Sequence, residues 1–251
     1  MGLFGSSYDD PGPDGKDEAR KTGLARLLEL ITRDLGTFIW SGMLAALAFV
    51  PFLAGVLLSL FRFNFFFLLI ACVAGGGIFG IVFCGLVDTI LRRLRDEAGF
   101  RWYVWRRSIR RNWKACLPLG ALFGVLLGGL LSSVLLMMID SAPTSAHLIL
   151  MGIAAFFTLV LFVWTWPQIA LMELPISAVF KNAFLLALSH PLRTLAATAG
   201  WGAYIVLIAL FFPYSIPVFP FTLWIPAVLA LHMIYTSLND TFHIEETKNG
   251  G

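Results

Sequence analysis

The chain has 251 residues, of which 59% are apolar and only 13% charged, with a net charge of +3. Soluble domains average about 45–50% apolar and about 25% charged residues, so this composition excludes an ordinary soluble globular domain. The basic residues gather at a few segment boundaries, which points to membrane orientation and argues against nucleic-acid binding.

Residues 1–22 are dominated by Asp, Gly, Pro, Ser and Lys and read as a disordered cytoplasmic tail. Leu24 to Leu35 reads as a short amphipathic helix with Leu24, Leu27, Ile31 and Leu35 as its apolar stripe. Gly36 to Phe61 is long enough to cross about 30 Å of hydrocarbon at about 1.5 Å per residue, with a kink expected at Pro51. Arg62 and Asn64 mark a turn, and a second span follows from Phe65 to Leu91. Its AGGGIFG stretch contains Gly76 and Gly80, which would let another helix approach closely.

The run Arg92 to Lys114 holds nine of the eighteen Lys and Arg residues. Within it Trp102, Trp105, Ile109 and Trp113 fall on one helical face, as expected of a basic helix in the cytoplasmic membrane interface. The third span, Ala115 to Ile139, carries Gly120, Gly124 and Gly128 at i, i+4 and i+8, a ridge suited to helix packing. A turn at Asp140, Ser141, Pro143 and Thr144 leads to a fourth span, His147 to Ile169, whose Trp164 and Trp166 fit an interfacial belt. Pro175 to His190 is another short helix. Leu192 to Phe212 and Phe221 to Leu238 are the fifth and sixth spans, separated by a turn that Pro213, Pro217 and Pro220 keep from being regular helix. Residues 242–251 form a polar tail.

The fold class expected is an all-α polytopic membrane protein with one six-helix domain over residues 23–241. Lys and Arg concentrate beside the first, second, fourth and last boundaries, so both termini are expected in the cytoplasm. The three short helices stand in register: Asp34, Asn112 and His190 are successively 78 residues apart. Each short helix precedes two spans. This predicts three repeats, about 23–98, 99–174 and 175–241, of an interfacial elbow helix plus a helical hairpin, arranged about an axis along the membrane normal.

The run DTILRRLRDEAGFRWYVWRRSIRRNWKACLP resembles the signature region of the YesL-like family of bacterial membrane proteins of unknown function. The matching features are Arg95 to Phe100, the aromatic and basic helix Phe100–Arg111, and Asn112-Trp113-Lys114-Ala115 leading into the next span. The later segment with Lys181, Asn182 and Pro191 is also similar. Ala98 departs from the family, which often has a second acid there. The resemblance implies a place in the bacterial cytoplasmic membrane beside a carbohydrate uptake system, particularly an ABC importer.

Arg106, Arg107, Arg110, Arg111, Asn112 and Lys114, with Trp102, Trp105 and Trp113, are therefore the expected surface for lipids or a partner subunit. Each basic residue near an anionic surface is worth about 1 kcal/mol. His232 is a candidate intramembrane polar site, set against a simple hydrogen bond to a neighbouring helix. Asp88 and Asp240 are expected to face water or the elbows, and Glu173 the interface. Cys72, Cys84 and Cys116 sit in or beside apolar runs and read as buried thiols. No residue set has the spacing of a nucleophile with its base, a carboxylate pair or a metal site, so no cofactor and no enzymatic activity are expected. The function expected is that of a non-catalytic accessory or partner subunit of a carbohydrate ABC importer. The alternative is a small solute transporter or channel acting alone.

Overall fold

A computed structural model describes residues 23–62, 64–97, 99–139, 144–172 and 174–242. These residues form helices and turns only: α1 (Gly23–Phe61), α2 (Phe65–Ile70), a π-helical turn (Ala71–Gly75), α3 (Gly76–Leu94), α4 (Arg101–Ile139), α5 (Ser145–Leu171), α6 (Ile176–Ser189), α7 (Pro191–Leu210), α8 (Phe219–Thr222) and α9 (Trp224–Phe242). Six helical segments are long and apolar enough to cross a membrane: α1, α2 with its π turn and α3, α4, α5, α7, and α8 with α9. Large outward side chains such as Leu47, Leu58, Phe66, Leu150, Leu192 and Leu210 are exposed. Hydrocarbon is the solvent that accommodates such a surface, and the chain is a multi-pass membrane protein.

The first two elbows are not separate helices, a correction to the sequence reading. α1 runs unbroken through Leu35 and Gly36, and α4 through Trp113 and Ala115. A lone Gly costs about 1 kcal/mol in a helix and nothing else there opposes one. The third elbow does break, at His190 (φ −126°, ψ 61°). Pro191 follows it, and the residue before a proline is driven out of the α region. The predicted turn around Asp140, Ser141 and Pro143, Glu173, and the two tails lie outside the described residues.

α3, α5 and α9 pack against one another at the centre, while α1, α4 and α7 stand outside them. The centre is filled with rings. Phe83 lies 5.0 Å from Phe162, 5.4 Å from Trp166 and 6.0 Å from Trp201, centroid to centroid. Aromatic packing of this kind adds about 0.5–1.5 kcal/mol per pair beyond burial.

α1 and α4 are each 39 residues long. They bury the same line of positions: Leu30, Asp34, Phe38, Ser41, Gly42 and Ala45 in one, and Ser108, Asn112, Cys116, Leu119, Gly120 and Phe123 in the other. The predicted stripe lies beside this line and is buried only in part: Leu27 is 6% exposed and Ile31 packs against the core. Leu35 is exposed, and so is Trp113 at 45%. Lipid is as apolar as Leu, so an apolar stripe in a membrane helix need not be the buried one.

The predicted glycine ridge is the α3–α4 contact. A Cβ built on Gly76 would stand 2.6 Å from the Gly120 carbonyl oxygen, and one on Gly80 would stand 2.5 Å from the Gly120 Cα. One on Gly124 would strike the Cys72 carbonyl oxygen, and one on Gly128 the Cys72 Sγ. The backbones have no room to yield, because the opposing atoms are mostly main chain. Gly120→Ala and Gly124→Ala should each destabilise the protein by about 1–3 kcal/mol through overpacking. Gly129→Ala, whose Cβ meets no neighbouring segment within 4 Å, should be neutral; thermal unfolding in detergent reads the difference.

Candidate functional site at the charged end of the bundle

Six helix ends converge where the sequence concentrates its charge. Arg93 Nε on α3 lies 3.4 Å from Asp34 Oδ1 on α1. Arg92 Nε donates to Asp88 Oδ2 at 2.9 Å, and Arg111 on α4 brings Nη2 to 3.9 Å from Asp88 Oδ1. The same Nη2 donates to the Ala170 carbonyl oxygen at 2.8 Å, next to the last residue of α5. Trp164 Nε1 donates to Thr194 Oγ1 at 3.0 Å, joining α5 to α7. Arg193 donates to Ser237, joining α7 to α9. His232 Nε2 donates to the Gly23 carbonyl oxygen at 3.2 Å, returning from α9 to α1. The polar contacts thus close a ring through all six spans.

The turn after α3 explains one member of the network. Glu97 N–H donates to the Arg92 carbonyl at 2.9 Å and Asp96 N–H to the Arg93 carbonyl at 3.2 Å. This paired pattern closes a helix around one left-handed residue, usually Gly. Here it is Asp96, with φ 56°; Asp is among the few other residues that tolerate that region. Its carboxylate accepts from Arg26 at 2.5 Å and from Arg33 Nη1 at 2.8 Å. Burial alone would raise the Asp96 pKa, but the hydrogen bonds from Arg26 and Arg33 outweigh it and hold the carboxyl below its ordinary range.

The nine expected surface residues divide. Arg106, Arg107, Arg110 and Lys114 are exposed on α4, and among the described residues they make no ion pair. Lys114 Nζ lies over the Trp113 ring at 5.9 Å. Trp102 is 48% exposed. Asn112 is buried and leaves that surface, whereas Arg111 keeps 39% of its side chain exposed while reaching into the bundle. Arg111 turns to Asp88 and Ala170, and the buried Asn112 accepts from Arg111 Nε at 3.3 Å and lies 3.9 Å from Cys84 Sγ. Trp105 packs inward, its Nε1 2.6 Å from where a Gly85 Cβ would be. Asn112 and Trp105 turn inward, and the Arg111 guanidinium reaches inward, because the α3–α4 glycine contact brings that face of α4 against the polar end of α3.

Asp88 is 1% exposed, so it does not face water as expected, although it does face the second elbow through Arg111. Its Oδ1 accepts no hydrogen bond among the described residues. His232 is held by a backbone carbonyl at the start of α1, the simpler of its two readings. Cys72, Cys84 and Cys116 are buried free thiols. The sequence reading missed Asp34, Arg26, Arg33 and Trp40. A usable signal was present: a charge just inside an apolar run must be paired, and Asp34 lies beside Arg33 at such an edge. Among the described residues no group of three His, Cys, Asp or Glu side chains is placed to hold a metal.

Comparison with family models, curated proteins and solved structures finds no match to this chain. The site is therefore read from its own chemistry.

Arg111→Ala leaves Asp88 with a weaker set of partners and α5 without its C-terminal donor, and should cost about 2 kcal/mol or more. Arg110→Ala should stay within about 0.5 kcal/mol. Asp96→Ala should cost about 1–2 kcal/mol more than Asp96→Gly, because only Ala opposes the left-handed backbone. Since the folded Asp96 pKa is lowered, its stabilisation is present above about pH 4 and lost as pH falls through the folded value. Asp96→Asn should therefore flatten the acid limb of a stability–pH profile measured by thermal unfolding.

Proposed function

We propose that this protein is a non-catalytic membrane subunit whose work is to hold other membrane subunits. The observation that carries the reading is the first half of α5. No residue of α5 before Thr158 is buried, so roughly half of a spanning helix has no helix packed closely around it. Gly152 lies in that half, and a Cβ there would meet no neighbouring segment within 4 Å; the same holds for Gly129, Gly200 and Gly202 on α4 and α7. Elsewhere in this bundle glycines mark tight helix contacts. Small residues on open membrane faces suit the docking of helices from a second protein. The unpaired Arg106, Arg107, Arg110 and Lys114 add a basic face for an acidic partner surface or anionic headgroups.

The partner class, a bacterial carbohydrate ABC importer, rests on the resemblance of the Arg92–Lys114 region to the YesL-like family. The cytoplasmic placement of both termini rests on the clustering of Lys and Arg at one end. The threefold elbow-and-hairpin plan is supported by the shared burial line of α1 and α4, which recurs at Leu186, Thr194, Ala197, Thr198 and Trp201. Asp34, Asp88, Asp96 and Glu97, acids that acid–base chemistry could use, are engaged as arginine partners. The rings at the bundle centre leave a cavity of about 10 Å³, room for at most about one water. That weighs against independent solute transport.

Affinity purification from native membranes in mild detergent should recover the chain with transporter subunits. Gly152→Trp should strip them away while leaving the thermal unfolding of the isolated protein unchanged. Recovery of a lone monomer under several detergent conditions, or solute flux in liposomes holding only this chain, would overturn the reading.

A further inference from the structure

A second surface lies beside the ion network and is separate from both the bare half of α5 and the free basic face. A groove of about 590 Å³ opens between α1, the end of α3 and the start of α4, within the range of about 300–1,000 Å³ usual for small-ligand sites. Arg33, Asp34 and Arg93 supply its charged part, and Trp40 and Trp102 its aromatic part. Trp40 is seven residues beyond Arg33 on α1, about 10 Å along the helix. Trp40 and Trp102 meet edge to face at 5.8 Å, and Trp102 stacks on Trp105 at 5.5 Å. Phe100, 77% exposed, stands at the mouth.

The charged part is prepared but not saturated. Arg33 gives Nε to Asp34, Nη1 to Asp96 and Nη2 to the Arg93 carbonyl. Arg93 pairs Nε with Asp34 and gives Nη2 to the Gly99 carbonyl at 3.3 Å. Its Nη1 has no partner among the described residues. Arg33 and Arg93 together face Asp34 and Asp96, so the charges balance and what the groove offers a ligand is the spare N–H donors of Arg93. An oxygen diester of phosphate carries one negative charge, and the arginine fork suits it. Amphipathic indoles beside the guanidinium groups, with Trp40 about 10 Å along α1 from Arg33, suit the glycerol and first acyl carbons.

The geometry points to a site for one glycerophospholipid, its phosphodiester on Arg93 and Arg33 and its glycerol and upper chains along Trp40 and Trp102. The recognised group is the phosphodiester, which phosphatidylglycerol and phosphatidylethanolamine share. Native mass spectrometry of the full chain in detergent, titrated with each phospholipid, with a diglucosyl diacylglycerol of the same acyl chains and with soluble glycerol phosphate, tests it. Either phospholipid should be retained at one equivalent, the phosphate-free glycolipid should be retained far less, and glycerol phosphate should not compete. Arg93→Gln should lower occupancy about tenfold, the scale of a lost charge-assisted hydrogen bond. Trp102→Ala, which leaves every ion pair in place, should lower it as well. The triple variant Arg106→Gln, Arg107→Gln, Arg110→Gln should leave it unchanged. Equal retention of glycolipid and phospholipid by the wild-type chain would overturn the site, a result that requires no variant to fold. Undiminished occupancy in Trp102→Ala, competition by glycerol phosphate, or loss confined to the triple variant would do the same.

Discussion

The bundle depends on a closed circuit of polar contacts at one end. Each span is tied to the next there by a charged or hydrogen-bonded pair, and His232 brings the sixth back to the first. In hydrocarbon, apolar side chains gain little by leaving lipid for one another, so burial alone does not decide which helices are neighbours. Directional contacts near the water boundary do. Arg111 is the clearest case, because one guanidinium reaches α3 and α5 from α4. Removing it leaves a nearly inaccessible carboxylate with less to oppose it, which is why its expected effect exceeds that of the neighbouring Arg110.

The glycine contact makes that circuit possible. It lets α3 and α4 approach until their main chains touch, and the same closeness carries Ser108 and Asn112 inside. Tight packing and the polar ring are therefore two ends of one helix pair. The basic segment is divided by the same geometry. The side of α4 that follows the glycine ridge turns toward acids and carbonyls, and the side opposite keeps Arg106, Arg107 and Arg110 for whatever lies outside the chain.

Much of this was legible from residue order. The six spans followed from apolar length, and Gly76, Gly80, Gly120 and Gly124 were marked as helix-packing positions before their pairing with one another was seen. What periodicity did not reveal was which face turns inward. In water an apolar stripe marks the core, but in a bilayer Leu35 and Trp113 serve equally well against lipid, and the polar Asp34 and Asn112 take the interior. Helix continuity was misread for a local reason. A change from amphipathic to apolar composition does not end a helix, whereas the proline after His190 does. The groove beside Trp40 was hidden because its walls come from two stretches far apart in the chain, Arg33 to Trp40 and Arg93 to Trp102.

The bare half of α5 has a consequence for assembly. In hydrocarbon a helix keeps its internal backbone hydrogen bonds whether or not another helix lies against it, so this half of α5 holds its shape with lipid as its neighbour. On the proposed reading, the same surface is covered by lipid when the chain is alone and by a partner's helix when it is assembled.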